Sequence, residues 1–232
     1  MVCYPVAPME SVSILVRYFA LAFSALLPLI NPLGSALEIL AVVGDAPPQV
    51  YRVLARKIAV NTVLFLLVFE LVGAALLAFF GISLPVVQVA GGLVLAGLGW
   101  QLLNQQAAGP ARGAAEVEED GYKSLDEKAF YPLTFPLTAG PGCIVVTLTV
   151  SAHASMPKLV HNVVAHAGVL LAIVALSISV YFCYAYAPKI TARINPQTAH
   201  GILRVIAFVL FCIGVQITWN GVETLLKQVL KT

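Results

Sequence analysis

Long apolar runs, punctuated by short polar or proline-rich breaks, occupy most of the chain. Crossing a hydrocarbon core about 30 Å thick takes about 20 helical residues, and six runs reach or approach that length. The first extends from about Ile14 to Val43, too long for one straight span, and ends at Asp45-Ala46-Pro47-Pro48. The second runs from about Ile58 to Phe80 and the third from about Val86 to Leu103. Residues 105 to 128 form the one long polar stretch, with Gly109-Pro110 and the acidic cluster Glu116, Glu118, Glu119 and Asp120, and read as a linker. The fourth run covers about Leu133 to Ser151, the fifth about Val163 to Ala187 and the sixth about Ile202 to Leu226.

Two of these runs carry helix breakers in register. Pro28, Leu29 and Gly34 recur 108 positions later as Pro136, Leu137 and Gly142. Proline removes a backbone donor and clashes with the preceding turn, and glycine lowers helix stability by about 1 kcal/mol. A freed backbone group in a bilayer costs several kcal/mol unless protein or a water-filled cavity satisfies it, so breaks are kept where they line something. The competing reading is a pair of kinked helices that only shape the bundle. Three runs on each side of the linker make an odd-numbered repeat, so the second half enters the membrane from the opposite side. The expected fold is an all-α membrane protein of six transmembrane helices arranged as a 3+3 inverted repeat, with helices 1 and 4 broken near the midplane. The whole of 1–232 then forms one transmembrane domain, with repeat 1 at about 14–103 and repeat 2 at about 133–226.

Composition agrees with a membrane protein: 60% of residues are hydrophobic and 10% charged, whereas soluble domains carry about 25% charged residues. The first 16 residues hold no Lys or Arg, so no signal peptide is expected. Nine Lys and Arg (Arg52, Arg56, Lys57, Arg112, Lys123, Lys128, Lys189, Arg193 and Arg204) fall on one side of a six-span topology. Four (Arg17, Lys158, Lys227 and Lys231) fall on the other. The positive-inside rule then places both termini in the periplasm and the linker in the cytoplasm of a cell inner membrane. Cys3, Cys143, Cys183 and Cys212 make no C-x-x-C pair, and His153, His161, His166 and His200 show no ligand spacing. Neither a metal nor a cofactor is expected, and the histidines are assigned to loops and helix ends.

The half-helices that restart at about Ser35 and Cys143 would each present an N-terminus, with unpaired N–H groups and about half a positive charge, to an anionic ligand group. Carbonyls at Ile30 and Thr138 would suit an ammonium, so a small zwitterion fits best. The candidate substrate-binding residues are Asn31, Gly34, Ser35, Thr138, Gly140, Gly142 and Cys143, with Thr134 nearby. Glu70 lies at the centre of the second run, where a charge costs at least ~2.5 kcal/mol, and with Glu38 is a candidate for proton coupling. Against that stands a neutral or paired role inside the bundle. Ala207, Gly214 and Gly221, and Gly92 and Ala96, point to close helix packing.

Asn31-Pro32-Leu33-Gly34-Ser35-Ala36, Phe80-Gly81-Ile82-Ser83-Leu84, Ala90-Gly91-Gly92, Gly99-Trp100 and the run from Tyr131 to Gly142 occur in one order along nearly the whole chain. Together they resemble the MarC family of six-helix membrane proteins. The resemblance implies a transporter similar to those for small neutral amino acids, within a superfamily of LysE-like exporters built on 3+3 inverted repeats. The chain departs from the family pattern at Glu38, Gln88 and Cys143, where an apolar residue, a basic residue and a Thr or Ser are usual.

The expected function is secondary transport of a small neutral or zwitterionic metabolite, not catalysis. No G-x-x-x-x-G-K-[ST] motif or nucleophile-base constellation is present in the sequence. Expected partners are the small-molecule substrate, H+ or Na+, and membrane lipid, with an oligomer left open and no nucleic acid. The alternative is a membrane protein that binds a partner or scaffolds a complex without transporting.

Overall fold

The computed structural model describes residues 8–104, 127–191 and 196–230. Cys3, most of the linker with Arg112 and Lys123, Arg193, the His200 side chain and Lys231 lie outside the described residues. The described residues are mostly helical, with no strand among them. The chain runs through α1 (Pro8–Ile30), α2 (Pro32–Val43), α3 (Pro48–Phe79) and α4 (Leu84–Asn104). It continues through a π-helical turn at Leu133–Thr138, α5 (Pro141–Ala154), α6 (Leu159–Ala185), a short α7 (Ala187–Thr191) and α8 (Pro196–Val229).

Among the described residues five spans are long and apolar enough to cross a membrane: Met9–Val43, Pro48–Phe79, Leu84–Asn104, Leu159–Ala185 and Leu203–Val229. The fourth run of the sequence yields only the shorter apolar helix Pro141–Ala154, because Pro136 and the Gly140-Pro141 pair cut it near its start. Other helices outrun their apolar cores. The α3 helix begins at Pro48, ten residues before the apolar run at Ile58, since Pro is tolerated at a first turn and Arg52, Arg56 and Lys57 are good helix formers. Its first turn is anchored by Tyr51, which is buried and donates its hydroxyl to Gly44 O at 2.7 Å.

The α6 helix is the central post, packed against α1, α2 and α3. It runs parallel to α1: Gly168 faces the backbone at Leu15 and Phe19, and His161 lies 3.6 Å from Glu10. It runs antiparallel to α3, since His166 meets Glu70 while Arg52 at the other end of α3 sits over the Tyr186 ring. Ala22, Leu26, Ile30, Ile58, Leu66, Val169, Ala172, Ile173 and Leu176 fill the space between these helices.

The α4 and α8 helices form a second, closer pair. Gly92 faces Gly214 and Thr218, Gly99 faces Ala207 and Phe211, and Gly221 faces Pro85 and Val89. A Cβ on Gly99 would come within 2.6 Å of Phe211 N, and one on Gly221 within 2.6 Å of Pro85 O. The small residues singled out in the sequence thus serve direct backbone approach, which in a bilayer replaces the hydrophobic drive for helix association. Outward-facing Leu64, Val68 and Leu71 of α3 and Val205 and Phe208 of α8 leave an apolar exterior.

Candidate functional site

Within the Met9–Val43 span, Asn31 alone leaves the right-handed helical conformation, at φ 43° and ψ 63°. Asn tolerates this left-handed region because its short polar side chain bonds locally. Here Asn31 Oδ1 accepts the Gly34 N–H at 3.1 Å, capping α2, and Pro32 fills a first-turn position that needs no donor. Gly34 is glycine because the Asn31 amide lies where its Cβ would be. Ser35, buried, donates its hydroxyl back across the interruption to Ile30 O at 3.1 Å.

The second interruption is wider. Leu133–Thr138 makes one π-helical turn in which Phe135 is extended (φ −116°, ψ 125°), and Gly140 is extended again before α5. No side chain caps α5; Cys143, buried, donates its N–H to Gly140 O at 2.9 Å. Thr134 and Thr138 donate their hydroxyls to Ala129 O and Leu133 O, each at 2.7 Å. With its own proton so used, Thr138 Oγ1 accepts from the Tyr184 hydroxyl of α6, 2.9 Å away. Ser35 stands beside the same Tyr184 hydroxyl.

The candidate substrate-binding residues thus fall into three places. Ser35 and Thr138 are brought together around Tyr184, a residue that sequence reading passed over; its signal was a phenol inside an apolar run, which needs a partner when buried. Asn31 and Gly34 form the cap beside them. Gly142 faces Leu95 of α4, with Cys143 next to it, while a Cβ on Gly140 would meet only Pro136 O at 3.0 Å. Glu38 lies exposed on α2.

Glu70 is elsewhere. Its buried carboxyl lies 2.5 Å from His166 Nδ1, and its second oxygen, Oε2, has no hydrogen-bond partner among the described residues. Ser151 of α5 donates its hydroxyl to the Glu70 main-chain carbonyl at 3.0 Å. The assignment of the histidines to loops and helix ends is corrected here for His166, which sits inside α6 and pairs with Glu70, whereas His161, though buried, lies in the first turn of that helix. The reason is that α6 begins at Leu159, before the apolar run, and so draws both rings into the bundle. His153 does lie at a helix end, in the last turn of α5. Along α6, 18 residues separate His166 from Tyr184, roughly 27 Å at 1.5 Å per residue. Among the described residues no group of three or more His, Cys, Asp or Glu gathers as a metal site.

Residues 16–226 match the family model described as MarC family integral membrane protein. The chain is 31% identical over 209 residues to a membrane protein of Methanocaldococcus jannaschii, covering 89% of this chain and 97% of that one. It is 27% identical over 207 residues to a membrane protein of Pyrococcus abyssi, covering 89% and 95%. It is also 28% identical over 219 residues to the inner membrane protein MarC of Salmonella typhimurium, covering 92% and 97%. No solved structure matches. The match across nearly all of the helical framework settles the membership: this chain belongs to the MarC family of integral membrane proteins.

Proposed function

We propose that the protein is a secondary transporter of a small neutral or zwitterionic metabolite, with small neutral amino acids the first candidates. The observation that carries this reading is the meeting of the two interruptions at the buried hydroxyls of Ser35, Thr138 and Tyr184. Helix interruptions in corresponding positions of two halves mark binding sites in transporters, where half-helix ends face the substrate. The α5 N-terminus, which no side chain caps, would offer N–H groups and its positive dipole end to a carboxylate near Gly140, Gly142 and Cys143. Hydroxyls of Ser35 and Thr138 and the carbonyls before each interruption would receive an ammonium. Asn31 and Gly34 fix the geometry of the first wall.

In this reading α1 with α2, α3 and α4 form one three-span repeat, and the 133–154 segment, α6 and α8 form its inverted partner. The excess of Lys and Arg orients both termini away from the cytoplasm. The name of the Salmonella relative supports an inner-membrane location.

The test is exchange of a labelled amino acid panel in proteoliposomes, with reporter fusions after residue 230 to read orientation. Wild-type protein should exchange a small neutral amino acid, and Gly140→Leu should abolish exchange while remaining folded. Failure of the wild type to exchange any member of the panel overturns the reading.

A further inference from the structure

Buried ionisable groups inside a membrane bundle are costly and need a reason. Glu70 and His166 form such a pair, with Glu70 Oε1 and His166 Nδ1 2.5 Å apart and no exposure of the Glu70 side chain. The unpartnered Oε2 makes it unlike a structural ion pair, in which remaining lone pairs are satisfied. With an ionised carboxyl and a neutral imidazole the pair carries one net negative charge in a low-dielectric interior. One added proton cancels it.

We propose that Glu70 and His166 together are a one-proton binding site, and that its occupancy is coupled to substrate movement at the interrupted helices. The His166 ring, 22% exposed, is the partner through which a proton arrives. Imidazole Nε2 takes a proton from hydronium, leaving water, and the Nδ1 proton passes to Glu70 Oε1, so that an N–H bond breaks as an O–H bond forms. Release reverses these steps.

On α6 itself the nearest titratable groups are His161, five residues before His166, and Lys158 at the helix start. From α5 the near titratable group is His153, exposed and engaged with Thr149 O. From α1 come Glu10, set against His161, and Arg17, exposed. Glu38 of α2, Lys189 of α7 and Arg52, Arg56 and Lys57 of α3 belong to the opposite end of the bundle, and the 133–138 turn carries no charge. Lys57, nearest of the cations along α3, is 13 residues from Glu70, roughly 20 Å. The link to the substrate region is α6 itself, which holds His166 against α3 near one end and Tyr184 against Thr138 in its last turns. A change in the Glu70 contact shifts α6 against α3 and thereby loads or frees the Tyr184 hydroxyl, a two-state element biased from both ends.

The coupling rests on the transport reading, whereas the proton site does not, and the experiment separates them. Infrared pH-difference spectra of lipid-reconstituted protein should show carboxyl and imidazole signals that Glu70→Gln removes. His166→Gln, which keeps a hydrogen-bonding amide and takes no proton, should alter the same signals and serves if Glu70→Gln fails to fold. Signals unchanged in both variants overturn the site. In proteoliposomes Glu70→Gln should keep amino acid exchange at equal pH but lose accumulation driven by an imposed pH gradient, which falls to the equilibrium level. Gradient-driven accumulation equal to wild type overturns the coupling. Absence of exchange in the wild type, with the infrared signals present, overturns transport and coupling together and leaves the proton site standing.

Discussion

The two interrupted segments share their proline register, Pro28 with Pro136, and yet their backbones part company. At Pro28 the α1 helix continues to Ile30, and the interruption is a single left-handed residue. At Pro136 the chain has already left α-helical geometry, and regular structure returns only at Pro141. The residue 108 positions after Asn31 is Ala139, which has no side-chain acceptor with which to cap the following helix. One polar side chain therefore closes the first interruption on itself, and its absence leaves the second open. In the transport reading the two do different work: the first would be a fixed wall, while the second, with no side-chain cap, would offer backbone donors to a ligand.

The largest expected effect distinguishes the two glycines of the second interruption. Gly142→Leu would overlap Leu95 and should cost about 1–3 kcal/mol or more, read as a lower thermal midpoint in detergent, with Leu95→Ala restoring part of it. Gly140→Leu, which meets only the Pro136 carbonyl, should fold and fail in exchange. Equal destabilisation by the two would mean that the second interruption is as tightly filled as the first.

Next in size is the cap. Asn31→Ala loses the bond to Gly34 N–H and places an alanine at positive φ, together worth about 2 kcal/mol, whereas Asn31→Gly should recover most of it. A glycine variant as unstable as the alanine one would show that the side chain matters more than the backbone conformation.

The smallest effect tests whether α6 joins the two interruptions. Tyr184→Phe should cost about 1 kcal/mol, and Thr138→Val combined with it should cost less than the two losses added, because both remove one shared bond. Simple additivity would separate Tyr184 from the second interruption.

Long apolar runs, the linker's polarity and the breakers at Asn31-Pro32 and Gly140-Pro141 follow from composition and backbone chemistry, which are properties of local sequence. The small-residue faces of α4 and α8 were legible for the same reason, since side-chain size at helical spacing already says which backbones can approach. Tertiary structure alone decided three matters. It set His166 opposite Glu70, a meeting of residues 96 positions apart that depends on how α6 registers against α3. It brought Tyr184 to Thr138 and Ser35, where a hydroxyl finds its partner only once α6 is docked. It also gave Gly142 its neighbour, the side chain of Leu95 on α4, because the space around a glycine belongs to whatever packs against it and is written nowhere in the glycine itself.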